Sequence, residues 1–111
     1  MRIWSEQLIP LLCRQHLLAT WRESLGAYKI ITQGLKGYIN HPATKEFTHA
    51  PNALLHRLHL IRKEMLRRGY NPKSIPEISG DLEPVKEWQD LQTQVALLRS
   101  KGCQCKIDAL L

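Results

Sequence analysis

The chain has 111 residues, of which 43% are hydrophobic and 23% are charged, with six Gly and six Pro. This length suits one compact domain, and the composition excludes collagen-like, low-complexity and wholly disordered proteins. No apolar run approaches the roughly 18 residues that span a bilayer, and Arg2 and Glu6 interrupt the place where a signal peptide is apolar. We therefore expect a single domain over residues 1–111 that has no membrane segment and is cytoplasmic.

The charge of the chain is distributed unevenly. Sixteen Lys and Arg against ten Asp and Glu give a formal net charge of +6. Residues 1–75 hold twelve basic and four acidic side chains, whereas residues 76–111 hold four basic and six acidic ones. A one-sided positive field suits a polyanion such as DNA or RNA, because neutralised phosphates release their counterions. A basic protein with a solvated face is the alternative reading.

The three cysteines do not form a disulfide framework. Cys13, Cys103 and Cys105 are odd in number and lack paired spacing, which indicates a reducing compartment. The C-x-C of Cys103 and Cys105 offers two soft ligands, but no second Cys/His pair at finger-like spacing completes a four-coordinate zinc site. The expectation is therefore ordinary thiols, with no metal and no organic cofactor, and structural zinc is the less favoured alternative.

A long amphipathic helix is predicted first. Pro10 suits its first turn, and the pattern runs to about Ile31 and ends near Gly34. The stripe expected to face the core is Cys13, Leu17, Trp21, Ser24, Tyr28 and Ile31. A neighbouring stripe of smaller or polar groups is His16, Ala19, Thr20, Glu23 and Ala27. His16 and Glu23 are seven residues apart and so project from nearly the same side.

The next segment, residues 32–50, is longer than the roughly 12 to 15 residues of an ordinary irregular loop. Lys36, Lys45, Tyr38 and two glycines suit a loop that contacts phosphate, because small residues let backbone N–H groups approach an anion. A mobile connector is an equally good reading of the same residues.

A second helix is predicted from Pro51 to a C-terminal cap at Gly69. Its apolar residues are Leu54, Leu55, Leu58, Ile61, Met65 and Leu66. Its basic residues are assigned to the outer surface: Arg57, Arg62, Lys63, Arg67 and Arg68. The pattern indicates a helix that is buried against two neighbours.

A third helix is predicted from Pro84, with a cap from Asp81 or Glu83, to Gly102. Its apolar residues are Val85, Trp88, Leu91, Val95 and Leu98. No alternating strand pattern of useful length competes with these helices. The fold class is therefore all-α, with three main helices and long connecting loops.

Three short stretches resemble one known family. They are Met1-Arg2-Ile3-Trp4, the run from Arg14 to Glu23 that reads Arg-Gln-His-Leu-Leu-Ala-Thr-Trp-Arg-Glu, and Leu66-Arg67-Arg68-Gly69-Tyr70-Asn71. In this order and spacing they resemble the pyrimidine-dimer DNA glycosylase (endonuclease V) family over about residues 1–75. Gly26 departs from the phage pattern, which carries an arginine there, and the aromatic-rich tail of that pattern is absent from residues 101–111.

The resemblance implies a bifunctional glycosylase and abasic-site lyase that acts on damaged double-stranded DNA, with no protein partner predicted. Its nucleophile would be the free α-amine of Met1, or of Arg2 if Met1 is removed, which forms a Schiff base before β-elimination cuts the backbone of a strand that carries a pyrimidine dimer. Glu23 would protonate the sugar or stabilise it as charge develops. An α-amine suits this task, because its unperturbed pKa is about 7.7 to 8.0 against about 10.4 for lysine. Arg2 and Arg22 lower the pKa of this amine and Glu23 raises it, so the net direction is open.

The resemblance and the charge pattern also give a set of expected DNA contacts. The set is Arg2, His16, Arg22, Lys36, Lys45, Arg67, Arg68 and Lys73. Plainer readings remain for some of them: His16 as a packed histidine, and Arg67 and Arg68 as partners of the helix dipole. For Glu23 the plainer reading is an exposed carboxylate on a helix. A non-catalytic helical DNA-binding protein and a protein-interaction module are the alternatives for the whole chain.

Overall fold

The structure, a computed structural model, describes residues 2–34 and 41–107. A 3-10 helix, Glu6–Leu11, precedes four α-helices: α1 (Arg14–Gln33), α2 (Pro42–Lys45), α3 (Pro51–Arg67) and α4 (Leu91–Ser100). The described ranges contain no strand, which confirms the all-α prediction. Within them, no helix is long and apolar enough to cross a membrane.

The first helix starts later than predicted. Pro10 lies inside the 3-10 helix, and the chain is extended at Leu12 and Cys13 before α1 begins at Arg14. The C-terminal end is as expected, because Gly34 closes α1 in a left-handed conformation with φ +65°. Leu17, Trp21 and Ser24 of the predicted core stripe are buried, and so are Thr20 and Ala27 of the neighbouring stripe. The buried face of α1 is therefore wider than the predicted stripe.

The second predicted helix is confirmed as α3. Pro51 occupies its first turn, and Gly69 follows its end with φ +88°. The N–H of Tyr70 donates to the carbonyl of Met65 and that of Gly69 to Leu66, which is the Schellman arrangement. At the other end Ala50 offers no capping side chain, and the carboxylate of Glu83 accepts from Ala53 N at 3.0 Å and Asn52 N at 3.4 Å. A distant segment thus caps α3.

Two assignments on α3 were wrong. Leu66 is 46% exposed, because it lies at the end of the helix beyond the packed face. Arg57, assigned to the surface, is only 5% exposed. Its guanidinium is buried because it bonds Glu87 at 2.8 Å and lies over the ring of Phe47 at 5.0 Å. The other apolar residues of the predicted set are buried as expected: Leu54, Leu55, Leu58, Ile61 and Met65.

The third predicted helix begins at Leu91 rather than at Pro84, and its cap is neither Asp81 nor Glu83. Asp90 caps it, accepting from Thr93 N at 2.8 Å. The preceding residues are irregular because tertiary contacts use their polar groups: Trp88 N donates to Glu46 at 2.9 Å. Trp88, expected in the core stripe, is 40% exposed. Val95 and Leu98 are buried as predicted.

Two apolar clusters hold the described elements together. The larger joins the 3-10 helix, α1, α3 and α4 through Leu8, Leu17, Leu58 and Leu98, all fully buried. The smaller cluster is Ile3, Ala27, Ala43, Phe47, Ala50 and Leu54. It includes Ala43 of α2, so the 32–50 connector is partly helical. The predicted contacts at Lys36 and Tyr38 lie outside the described residues.

Replacing Gly26 by Ala should raise the free energy of unfolding by about 0.5 to 1 kcal/mol, because glycine inside a helix carries an entropic cost. Gly26 lies inside α1, and a Cβ built there meets no atom within 4 Å. Urea denaturation followed by circular dichroism measures the change.

Gly34→Ala is the matched control, since it adds the same methyl group at φ +65°. It should destabilise the protein by about 1 kcal/mol. A destabilised Gly26→Ala variant would contradict the helical placement of that residue.

Candidate functional site

The segment of residues 2–5 is anchored from several sides. Ile3 and Trp4 are buried, with 4% and 3% of their surface exposed. The backbone N–H of Ser5 donates to Oε1 of Gln94 at 2.7 Å, and Nη1 of Arg57 donates to the carbonyl of Trp4 at 3.5 Å. Side chains of α3 and α4 therefore fix the backbone of this N-terminal segment.

The side chain of Arg2 is used inside the protein. Its guanidinium lies over the ring of Trp4 at 5.1 Å and that of Trp88 at 4.8 Å, and it donates to Oε1 of Gln89. Burial lowers the pKa of Arg2 from its ordinary value. Arg2 was predicted to contact DNA. In the structure its guanidinium is instead held by two indole rings and an amide, and these contacts fix the position of residue 2.

The N-terminal segment packs near α1, the helix that carries Glu23. Glu23 is half-buried, and Ala27, one turn further on, is fully buried in the same cluster as Ile3. Residues four apart in a helix lie on one face. Toward the start of α1, the ring of Trp4 contacts that of His16 edge-on at 5.9 Å. Trp4 thus contacts His16, and Ile3 shares a cluster with Ala27; both α1 residues belong to the predicted stripe that also holds Glu23.

His16 is also in contact with two thiols. Its Nδ1 lies 3.2 Å from Sγ of Cys13 and 3.3 Å from Sγ of Cys105. Burial, together with the charge of Lys101, lowers the pKa of His16. A neutral imidazole can donate a hydrogen bond to phosphate from Nε2, but it brings no positive charge.

The other expected contacts are dispersed. Arg22 on α1, Lys45 at the end of α2 and Lys73 after α3 are exposed, as a phosphate contact requires. Met1 and Lys36 lie outside the described residues.

Arg67 and Arg68 share a carboxylate. Glu64, 7% exposed, accepts from Nη2 of Arg67 at 2.5 Å and from Nε of Arg68 at 2.6 Å. These hydrogen bonds, the one from Arg67 first, hold the pKa of Glu64 below its ordinary value. Arg68 also donates to the carbonyl of Pro10 at 3.3 Å. Part of the charge expected to face DNA is therefore neutralised within the protein.

Glu46, which lies near the residues that hold Arg2, was not singled out from the sequence. Its pKa is raised to about 7, mainly by burial and to a smaller extent by the charge of Glu87, while the N–H of Trp88 and the charge of Arg57 oppose the rise. Trp88, which bonds Glu46, also stacks on Arg2 and contacts the ring of His41. No sequence signal marks Glu46, because its burial depends on residues about forty positions away.

Over the described residues this is an all-helical protein, in which the basic part of the chain contributes the half-buried Glu23 and the N-terminal segment is anchored by α3 and α4. The family model for pyrimidine dimer DNA glycosylase matches residues 1–76, more than half of the chain. The chain therefore belongs to the pyrimidine dimer DNA glycosylase family, and DNA is its substrate class. Neither the comparison with curated proteins nor that with solved structures gave a match.

Replacing Glu46 by Gln should flatten the dependence of stability on pH. The pKa of Glu46 is raised in the folded protein from 4.5 to about 7, so the folded state binds more protons between these values. The stability of the wild-type protein should accordingly fall as the pH rises from about 4.5 through about 7, relative to the variant. Urea titrations at a series of pH values measure the difference.

Glu77→Gln is the control, because Glu77 is exposed. It removes the same charge and should leave the pH dependence as in the wild-type protein. If the Glu46→Gln variant and the wild-type protein lose stability in parallel from pH 5 to 8, the assignment of Glu46 to a buried environment that raises its pKa is wrong.

Proposed function

We propose that this protein is a bifunctional DNA glycosylase and abasic-site lyase that acts on pyrimidine dimers in double-stranded DNA. The α-amine of Met1 is the nucleophile and Glu23 is the acidic group that assists it. The proposal rests on the family membership, and the anchoring of residues 2–5 supports it, since Ile3 shares a buried cluster with Ala27, one turn beyond Glu23 on α1.

The anchoring matters because of the geometry of the chain. Consecutive Cα atoms are about 3.8 Å apart, so a fixed residue 2 restricts an amine on the preceding residue to a small volume. Arg2 is fixed by two indole rings and Gln89. Positioning a nucleophile in this way replaces a bimolecular encounter with an effectively unimolecular step.

The chemistry needs an unprotonated amine near neutral pH. At that pH an α-amine has a few hundred times more of the unprotonated form than lysine, because its pKa is about 2.5 units lower. The amine attacks C1′ of the damaged nucleotide, the C1′–N bond to the base breaks, and the base leaves with its electron pair. The new nitrogen then loses a proton, and its lone pair forms the C1′=N bond as the C1′–O4′ bond breaks. O4′ takes up a proton, so the ring opens and a Schiff base remains at C1′. Loss of a C2′ proton then expels the 3′ phosphate by β-elimination.

Glu23 supports both stages. A half-buried carboxylate stabilises the positive charge that develops on the sugar, or protonates the sugar oxygen as the ring opens. Because the target sugar must be exposed, the duplex is bent and a nucleotide is extruded, at an energetic cost met by backbone contacts. The exposed Arg22, Lys45 and Lys73 supply such contacts.

A blocked N-terminus should abolish covalent trapping. We expect the protein with a free amine to be captured by borohydride on duplex DNA that contains a cyclobutane dimer or an abasic site. Mass spectrometry should place the adduct on the first residue. An uncleaved N-terminal tag should remove the adduct and strand cleavage but spare DNA binding.

The same tag at the C-terminus is the matched control and should leave trapping intact. Cleavage and trapping by the N-terminally tagged protein would show that another amine is used. Binding without trapping, by a protein with a verified free amine, would favour a non-catalytic DNA-binding protein.

Glu23→Gln should lower the single-turnover rate of base release by at least about 100-fold, in the range typical of a lost acid–base group. The affinity for dimer-containing DNA should change little, since the substitution keeps the size of the side chain. Single-turnover kinetics and a binding titration separate the two effects. Glu77→Gln is a control for the loss of one negative charge, and an unchanged rate in Glu23→Gln would remove Glu23 from the mechanism.

A further inference from the structure

Four potential metal ligands from the two ends of the chain meet at the start of α1. Cys13 immediately precedes the helix and His16 lies in its first turn, while Cys103 and Cys105 follow α4. Their ligand atoms, three sulfurs and one imidazole nitrogen, all lie within 4.8 Å of one another. We call these four residues the thiol–imidazole cluster.

The separations within the cluster are close to those around a tetrahedral zinc ion. Zn–S bonds of about 2.3 Å and Zn–N bonds of about 2.0 to 2.1 Å place neighbouring ligand atoms about 3.5 to 3.8 Å apart. Nδ1 of His16 lies 3.2 Å from Sγ of Cys13 and 3.3 Å from Sγ of Cys105. These two separations are within a few tenths of an ångström of the expected value, and every pair of ligand atoms lies within 4.8 Å, so shifts of about 1 Å or less would admit the ion.

The surroundings of the cluster favour a metal site over a chance meeting of three thiols. All four residues are half-buried, and Cys103 and Cys105 pack against the larger apolar cluster. The backbone N–H of Cys13 donates to Sγ of Cys105 at 3.0 Å, and such donation stabilises a thiolate. The ring of Trp4 contacts the imidazole edge-on and limits its rotation.

We propose that Cys13, His16, Cys103 and Cys105 bind one Zn²⁺ as a structural Cys₃His site. Thiolate and imidazole ligands select zinc over the hard cations, which prefer oxygen. Binding forms three Zn–S bonds and one Zn–N bond, and the three thiol protons are released to solvent. The four protein ligands leave no open position, as in structural rather than catalytic zinc sites.

The ion would join the start of α1 to the segment that follows α4. The segment after α4 also bonds the chain just before α1, because the N–H of Lys106 donates to the carbonyl of Leu11 at 2.7 Å. Because the unfolded chain has no formed site, the binding free energy of the metal adds to the stability of the fold.

The direct test is the metal content of the full-length protein, purified under reducing conditions from zinc-supplemented cells. We expect inductively coupled plasma mass spectrometry to find about one zinc ion per chain. Exchange for Co²⁺ should produce the intense visible bands of a tetrahedral ion and the charge-transfer absorption of thiolate ligands. This measurement needs no variant. A protein that has reduced thiols but neither holds zinc nor develops this cobalt spectrum would overturn the proposal.

Cys103→Ser and Cys105→Ser should each lower the bound zinc at least tenfold after passage over a chelating resin, because one thiolate is lost. His49→Ala is the matched control, since His49 is exposed and outside the cluster, and it should keep the metal. A chelator should lower the melting temperature of the wild-type protein and of the control. Cysteine variants that keep as much zinc as the wild-type protein would refute the site.

Discussion

The buried guanidinium of Arg57 is the interaction on which the arrangement of this protein depends. A lone buried charge costs several kcal/mol, so its partners must be held in place. Arg57 donates to Glu87 at 2.8 Å and to the carbonyl of Trp4 at 3.5 Å, and it lies over the ring of Phe47. One cation therefore ties α3 to the N-terminal segment, to the residues after α2 and to the segment before α4.

The family match ends at residue 76, yet much of what anchors the N-terminal segment lies beyond it. Gln94 accepts from the backbone of Ser5, and Gln89 and Trp88 hold Arg2. Residues 77–107 therefore complete the region matched by the family, through these polar contacts as well as through the apolar cluster that α4 shares with Trp4. These contacts are directional, so they fix where residues 2–5 lie more narrowly than apolar packing alone.

Local rules predicted the features that depend on nearby residues. The Schellman end of α3 at Gly69 and the left-handed end of α1 at Gly34 follow from glycine alone. The start of α4 was misjudged because Pro84 suits a first turn, whereas the N–H of Trp88 bonds Glu46 instead. Of the site, the sequence indicated Glu23 and the N-terminus, but the burial of Arg57 and Glu46 depends on distant segments. The spacing Cys13-x-x-His16 was visible, yet only the fold places it beside the C-x-C.

Helix α1 links the two proposals made for this protein. It rises about 1.5 Å per residue, so His16 and Glu23 are about 10 Å apart along its axis and on nearly one side. The proposed zinc would fix the first turn of this helix to the residues after α4, while Gln94 of α4 fixes Ser5. The C-terminal region would thus position both the helix that carries Glu23 and residues 2–5. The chemistry would then depend on residues 77–107 although none of them reacts, because they hold residues 2–5 and would hold the start of the helix that carries Glu23.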